Sequence, residues 1–434
     1  MIPKLNILCG DALTEMRKLP DASVHCCVTS PPYWGLRDYG HPDQLGQEKT
    51  LGEYIENMVA VCREVHRVLR PDGTFWFNIS DSYASAWSVG GQNGRPMGSG
   101  SLENGKKEAR PNRLVNGLKE KDLCLIPFRL ALAFQQDGWY VRSDIIWAKR
   151  NCMPESVTDR PTRSHEHIFL LTKSERYFYD YEAIKEPCVY DIEKRIGQKN
   201  FANQGQNTKE LINGNRSHRK VLENLKKRAD KQRGHSRRHE GFNDRWDQME
   251  REEQCTGMRN KRDVWTVAPA NYDGAHFATY PPELIKPCIL AGTSAHGCCA
   301  QCSAPYERIV EKGEPDLEHQ RACGGDKAGE YHGEATKDYA QGGAQDASAT
   351  KARILAGMRE RITTGWKPTC KCSAQSEQSA DVIPCTVLDP FGGSGTTGEV
   401  ALELGRSAIL IELNPAHIPL IEERCAITPG LALA

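Results

Sequence analysis

The sequence Ser30-Pro31-Pro32-Tyr33-Trp34 follows a short apolar run, Val24 to Val28, that is typical of a buried strand. Two consecutive prolines remove two backbone donors and stiffen the loop, so the carbonyl of Pro31 is free to accept a hydrogen bond. The ring of Tyr33 offers a flat face on which an extruded nucleobase could stack. Without other signals, the same residues would indicate only a stiff turn with packed aromatic rings.

A second segment, TVLDPFGGSGTTGEVALELGRSAILIE, predicts a strand, a tight turn, a helix and another strand. Gly393 and Gly395 allow a ligand to approach the backbone at the start of the helix. Glu412 ends the second strand 17 residues beyond Gly395, near the spacing at which a carboxylate accepts bonds from ribose hydroxyls. The full GxGxxG of a dinucleotide site is missing, which favours S-adenosylmethionine over a hydride carrier. A glycine turn without a ligand is the alternative.

The elements that must position these residues form α/β patterns at both ends of the chain, from Leu5 to about Tyr181 and from Thr386 to Cys425. Residues 54–69 have apolar side chains at helical spacing, and Arg70-Pro71-Asp72-Gly73 predicts a turn after that helix. A second helix is predicted over residues 126–137. We therefore expect one twisted, mostly parallel sheet with helices on both faces.

Together, TSPPYW and DPFGGSGTTG resemble the catalytic and cofactor motifs of the amino-methylating DNA methyltransferases. The order of the motifs resembles the circularly permuted beta group, so the resemblance implies a Rossmann-like α/β methyltransferase fold with permuted motif order. It extends over about Leu5 to Tyr181, Arg262 to Leu290 and Thr386 to Cys425. It implies methyl transfer from S-adenosylmethionine to an exocyclic base nitrogen after base flipping.

The resemblance also assigns roles to individual residues. The target amine would donate hydrogen bonds to Ser30 and to the carbonyl of Pro31, which localises the nitrogen lone pair, and Tyr33 would stack on the base. The implied catalytic residues are Ser30, Pro31, Pro32 and Tyr33. The implied cofactor-binding residues are Asp389, Phe391, Gly393, Gly395, Glu412 at the ribose, and Asp11 at the adenine edge, where a plain turn is the alternative.

The identity of the methylated base is predicted from Ser30. Serine in the first motif position is the form usually associated with the N4 amine of cytosine, whereas aspartate is usual for the N6 amine of adenine. A serine hydroxyl can also donate, which suits the ring acceptor next to the cytosine amine. We expect cytosine N4, with adenine N6 as the alternative. Methylation of the cytosine ring carbon is rejected, because no Pro-Cys pair follows the glycine turn.

Polar segments separate these patterns. Residues 90–121 and 313–348 are rich in small and polar residues and predict flexible loops. Between Arg216 and His239 there are ten Lys/Arg against two acidic residues, which fits either a disordered linker or a phosphate-contacting target-recognition region. The predicted divisions are 1–190 for the catalytic half, 191–262 for the basic target-recognition region, 263–293 for a cofactor-flanking segment, 294–385 for a flexible insert and 386–434 for the cofactor-binding half.

The insert carries four cysteines in two short motifs. Cys299 and Cys302 have CxxC spacing, and Cys370 and Cys372 have CxC spacing. Two such pairs could hold a structural zinc ion in a segment with little apolar content of its own. Four ordinary thiols are the alternative, and Cys298 could replace one ligand.

Composition and hydropathy predict the cellular compartment of the protein. The chain has 434 residues, 57 Lys+Arg and 57 Asp+Glu, 38% hydrophobic residues and a mean hydropathy of −0.61. No apolar stretch is long enough for a membrane helix and no secretory signal is evident, so we expect a cytoplasmic, DNA-associated protein of bacterial or phage origin with reduced thiols. Expected partners are double-stranded DNA and a cognate restriction endonuclease, with a monomer or homodimer as the assembly. A catalytically inactive DNA-binding protein and a methyltransferase of RNA or protein amides are the rival functions.

Overall fold

The computed structural model describes residues 2–37, 39–84, 117–152, 155–187, 258–269, 280–312, 361–372 and 381–426. Most of the predicted loop 90–121 and of the basic region 191–262 lie outside the described residues, as does all of 313–348.

Fourteen strands are present in this part of the chain: β1 Leu5–Cys9, β2 Val24–Thr29, β3 Leu69–Ile79, β4 Tyr140–Lys149, β5 His165–Thr172, β6 Glu186–Pro187, β7 Met258–Arg259, β8 Val264–Val267, β9 Cys298–Cys299, β10 Tyr306–Lys312, β11 Arg361–Pro368, β12 Val382–Ile383, β13 Thr386–Asp389 and β14 Ser407–Glu412. Eight of them form one sheet in the order β1-β14-β13-β2-β3-β5-β4-β8. In it β5 runs antiparallel to both neighbours, and the other pairs are parallel. The C-terminal strands β13 and β14 lie between β1 and β2, so both ends of the chain build one sheet, as expected.

Helices cover both faces of this sheet. They are α1 Ala12–Met16, α2 Leu51–Val68, α3 Ile126–Gln136, α4 Pro282–Gly292, α5 Thr396–Glu403 and α6 Ile418–Arg424. From Cys26 onward, successive residues of β2 alternate between the two cores: Cys27 belongs to the cluster that contains α1, α2 and α3, whereas Cys26 and Val28 pack with α4 and α5. A strand buried on both faces reads as a continuous apolar run, which is why VHCCV was recognisable. The Rossmann-like α/β architecture is therefore confirmed.

The predicted turn after α2 is wrong. The helix begins at a capping box between Thr50 and Glu53 and passes directly into β3 at Leu69. Residues 70–73 form a bulge within β3. The strand pairing shows this, since Val24 pairs with Leu69 and Cys26 pairs with Thr74. Proline is tolerated at such an irregularity, since the bulged residues leave the ladder.

The chain divides into two compact units. One comprises Met1–Ile184, Lys261–Arg308 and Trp366–Ala434, and it contains the eight-stranded sheet. The other comprises Lys185–Asn260 and Ile309–Gly365; among its described residues, β6 and β7 pair in antiparallel fashion. No helix in the described ranges combines the length and apolar character needed to cross a membrane.

Candidate active site at the carboxyl ends of the strands

A cavity of about 990 Å³ lies within the first unit, where the parallel strands β1, β2, β3, β13 and β14 end. In doubly wound sheets, ligands bind at this edge. Its lining contains the residues predicted as catalytic and, with the exception of Gly395, those predicted for the cofactor: Asp11, Ser30, Pro31, Pro32, Tyr33, Asp389, Phe391, Gly393 and Glu412. The structure thus brings together two motifs that are more than 350 residues apart in the chain.

The glycine turn owes its shape to Gly395, the N-cap of α5. Its φ is +85°, in the left-handed region, and its N–H donates to the carbonyl of Gly392 at 2.8 Å. A Cβ at this position would lie 3.2 Å from the Cα of Ile421 on α6. Both the backbone conformation and the neighbouring helix therefore require glycine here.

Asp389 lies beneath the turn and is 1% exposed. Its carboxylate accepts hydrogen bonds from the hydroxyls of Thr29 (2.6 Å), Thr397 (2.5 Å) and Tyr280 (2.9 Å) and from the N–H of Phe391 (3.0 Å). Burial raises the pKa of Asp389 to about 6, although these donors partly offset the shift. With all four contacts internal, the side chain supports the turn from below.

The two remaining acidic candidates make different contacts. Glu412 accepts from the N–H of Gly393 at 2.8 Å through Oε2, and from Asn414 N–H at 2.9 Å through Oε1. Asp11 caps α1, accepting from the N–H of Thr14 at 2.9 Å and from its hydroxyl at 3.0 Å. Glu412 thus ties its strand end to the glycine turn, whereas Asp11 has the helix-capping contacts of an ordinary strand-to-helix turn.

The Ser-Pro-Pro-Tyr loop is held from both sides. The hydroxyl of Tyr54 on α2 donates to the carbonyl of Pro32 at 2.9 Å. Trp34 is buried in the core, and its indole N–H donates to the carbonyl of Glu48 at 2.9 Å. These contacts leave Ser30, Pro31 and Tyr33 on the cavity side of the loop.

A hydrogen-bonded network fixes the hydroxyl groups of this loop. Ser30 Oγ donates to Tyr33 OH at 3.1 Å, and Tyr33 OH donates to Glu166 Oε2 at 2.7 Å. Asn78 Nδ2 lies 3.0 Å from both Tyr33 OH and Glu166 Oε2, and Lys149 Nζ forms an ion pair with Glu166 Oε1. Burial, with the nearby Glu166 charge, raises the pKa of Tyr33 well above its ordinary value, so the phenol stays protonated.

Asn78, Lys149 and Glu166 were not among the predicted site residues. Two of them could have been noticed in the sequence, because Asn78 lies within the apolar run TFWFNI and Glu166 lies two residues before the apolar run IFLL. A buried charge needs partners, so such residues identify positions where strands meet in a polar site.

The four candidate zinc ligands also come together. The Sγ atoms of Cys299, Cys302, Cys370 and Cys372 lie within 4.8 Å of one another. Cys298 belongs to a different group, with His25 and Cys385.

Comparisons with known proteins show the family to which the chain belongs. The sequence model of the DNA methylase family of N6/N4 type matches residues 24–300 and 385–423. The chain is 43% identical to the type II methyltransferase M.XycI of Xanthomonas campestris pv. cyanopsidis over 65% of its own length and 71% of that protein. It is 35% identical to the type II methyltransferase M.SmaI of Serratia marcescens over 96% of its length and 89% of that protein.

Fold, site and sequence therefore define an S-adenosylmethionine-dependent methyltransferase of exocyclic amines. The chain belongs to the N6/N4 family of DNA methyltransferases. The family predicted from the two motifs is confirmed.

Proposed function

We propose that this protein methylates the N4 amine of cytosine at a specific sequence in duplex DNA. The observation that carries the proposal is the single cavity lined by both the Ser-Pro-Pro-Tyr loop and the glycine turn. The target amine donates to Ser30 Oγ and to the carbonyl of Pro31, and the Tyr33 ring stacks on the flipped base. Catalysis then consists mainly of alignment and hydrogen bonding.

The residues of the glycine turn fit S-adenosylmethionine, which supplies an activated methyl group when bound. Gly393 and Gly395 carry no side chain that would obstruct the turn, and Phe391 offers an apolar surface at the cavity wall. Glu412 keeps an acceptor position on Oε2, which has one protein donor, and this position suits a ribose hydroxyl. Asp389 acts in this proposal by holding the turn, and Asp11 contributes at the adenine edge.

The choice of cytosine rests on the identity of Ser30. In the structure the Ser30 hydroxyl donates its proton to Tyr33 and accepts from Asn78 Nδ2 at 3.3 Å, so one lone pair of its oxygen is left for an incoming donor. The group therefore acts as an acceptor for an amine, and donation to a ring nitrogen of the base does not contribute to the assignment. Adenine N6 has the same kind of amine and is the alternative outcome of the test.

DNA binding is proposed for the basic residues between Arg216 and His239, within a target-recognition region at 191–262. The type II relatives suggest that the protein acts beside a cognate restriction endonuclease. We place this activity in the cytoplasm, on cellular or phage DNA.

Sequencing of modified bases in genomic DNA from cells that express the protein tests the proposal. N4-methylcytosine within one short motif is expected, and N6-methyladenine there would replace the base assignment. The double variant Ser30→Ala, Tyr33→Ala should abolish methylation while duplex binding is retained. If wild-type protein binds DNA without modifying any base, the hypothesis of a catalytically inactive DNA-binding protein is favoured. Methylation of RNA in competition with duplex DNA would favour the RNA methyltransferase.

We also propose one structural zinc ion, bound by Cys299, Cys302, Cys370 and Cys372. Tetrahedral zinc with Zn–S bonds of about 2.3 Å separates its sulfur ligands by roughly 3.8 Å, which fits thiols that lie within 4.8 Å of one another. The first pair lies on a tight turn in which Ser303 N–H donates to the carbonyl of Cys299 at 2.8 Å. The ion would close the base of the long insert between Cys302 and Cys370.

The neighbouring group of His25, Cys298 and Cys385 does not make a second zinc site in this proposal. His25 Nε2 lies 2.8 Å from the carbonyl of Ser303, and its Nδ1 accepts from the N–H of Thr386 at 3.0 Å. Because backbone groups occupy both ring nitrogens, His25 connects the cysteine turn to the sheet instead of binding metal.

Metal analysis of the purified full-length protein tests this site. One zinc ion per chain is expected, with loss of the metal in Cys302→Ser and in Cys372→Ser. Cys9→Ser, at an exposed thiol outside the cluster, is the matched control and should retain it. Wild-type protein that neither contains zinc nor binds it with the four thiols reduced would contradict the proposal.

A further inference from the structure

We propose that Glu166 is the terminal proton acceptor of the methylation reaction and that Ser30 and Tyr33 connect it to the target amine. This inference rests on the proposed function. It concerns a proton that the reaction must remove, because an exocyclic amine that gains a methyl group has to lose one of its hydrogens.

The carboxylate of Glu166 determines which atom donates in each hydrogen bond of this network. An ionised carboxylate can only accept, so the Tyr33 hydroxyl, 2.7 Å away, must donate to it. The Tyr33 oxygen can then accept from Ser30 Oγ at 3.1 Å. With its proton directed to Tyr33 and one lone pair accepting from Asn78 Nδ2 at 3.3 Å, Ser30 Oγ has one lone pair left, to which the target amine would donate. The same sequence of contacts that orients the acceptor also provides a path for a proton.

The position of Glu166 gives its carboxylate a positively charged partner and a hydroxyl from which it can receive a proton. It is 7% exposed and is contacted by Lys149 from β4 and by Asn78 from β3. The titratable groups around it are Lys149, Tyr33 and the adjacent His165, whose pKa burial lowers. The Lys149 ammonium compensates the buried negative charge in the resting state.

Three oxygen atoms, those of Ser30, Tyr33 and Glu166, account for the proton that the amine loses. As the amine nitrogen bonds to the methyl carbon, the electron pair of the broken carbon–sulfur bond stays on the departing sulfur. The surplus amine proton passes to Ser30 Oγ, the former Ser30 proton to Tyr33 Oη, and the former Tyr33 proton to Glu166 Oε2. Ser30 and Tyr33 end as neutral hydroxyls, and Glu166 ends protonated, to be restored by exchange with solvent.

Single-turnover methylation with full-length enzyme in excess over duplex DNA tests the inference. Glu166→Gln preserves an oxygen that accepts from Tyr33 but removes the base, and it should slow the rate about 100-fold, within the range for a positioned general base. Tyr33→Phe preserves the stacking ring but interrupts the path and should slow the rate similarly. Glu64→Gln, which removes a carboxylate paired with Arg67 on α2, is the control and should leave the rate unchanged.

Two further measurements separate proton transfer from positioning. Affinities for S-adenosylmethionine and for duplex DNA should be unchanged in Glu166→Gln, and its rate should depend less on pH than the wild-type rate. The double variant Glu166→Gln, Lys149→Met removes both members of the ion pair. It should be as slow as the single variant, because the missing base and not an unpaired lysine limits the rate.

The inference is overturned if Glu166→Gln methylates at the wild-type rate, or if its whole defect is weaker binding of DNA or cofactor. These results differ from a failure of the proposed function, in which the wild-type protein itself produces no methylated base.

Discussion

Replacement of Gly395 by alanine should damage both the fold and the cofactor turn. The residue has φ +85°, and a left-handed conformation costs an alanine about 1–2 kcal/mol. The new Cβ would also lie 3.2 Å from the Cα and Cγ2 of Ile421 and 3.4 Å from the Sγ of Cys425. Since the first of these atoms is backbone, α6 must move, and such overpacking costs about 1–3 kcal/mol. The two terms together give a loss of roughly 2–5 kcal/mol.

Gly405 provides the matched control. Its φ is +75°, and an added Cβ there meets nothing within 4 Å. Gly405→Ala should therefore lose only the backbone term of about 1–2 kcal/mol. Urea unfolding of both variants measures the difference, and calorimetric titration with S-adenosylmethionine should show weaker binding in Gly395→Ala alone. Equal losses of stability in the two variants, with equal cofactor affinity, would refute the argument that contact with α6 shapes the turn.

Three other results are expected. Burial raises the pKa of Asp389 from 3.8 to about 6, so the folded state binds this proton more tightly than the unfolded state. The free energy of unfolding should therefore fall by up to about 3 kcal/mol as this group ionises between about pH 4 and pH 6. Asp389→Asn should flatten that part of the pH dependence of urea unfolding. Lys226→Ala with Lys227→Ala should reduce the slope of log K against log salt for duplex DNA by about 2, and an unchanged slope would place the phosphate contacts elsewhere. Cys302→Ser should release zinc and lower the urea midpoint, while the rate per folded molecule stays as in wild type; a selective loss of rate would contradict a structural role.

The sequence allowed the fold and both motifs of the site to be predicted because their signals are local. The prediction placed the β14 segment at SAILIE, and the structure has it at Ser407–Glu412. The second helix was expected over 126–137 and is Ile126–Gln136. The loop at Ser30 and the turn at Gly395 depend on proline and glycine chemistry that is readable within a few residues. Residues 70–73 were misread because the same Pro-Asp-Gly pattern serves a turn and a bulge.

The network around Glu166 could not be predicted in this way, because its members meet only in the folded sheet. Tyr33 and Glu166 are 133 positions apart, and the contact between Asn78 and Glu166 spans 88. It depends on β5 running antiparallel beside β3, which sets Asn78 opposite Ile168 and His167 opposite Ile79. Residue types can suggest that buried polar groups require partners, but only the strand order determines which ones they find.

Strand β2 explains why the cysteine cluster and the catalytic loop should act separately. His25 lies near its beginning and contacts the cysteine turn through Ser303, whereas Ser30 follows its end in the cavity. Five residues of extended chain at about 3.3 Å each separate the two by roughly 17 Å. A metal ion near Ser303 is therefore too far to coordinate a base held at Ser30. Its effect on methylation would pass through the stability of the sheet, as expected for a structural site.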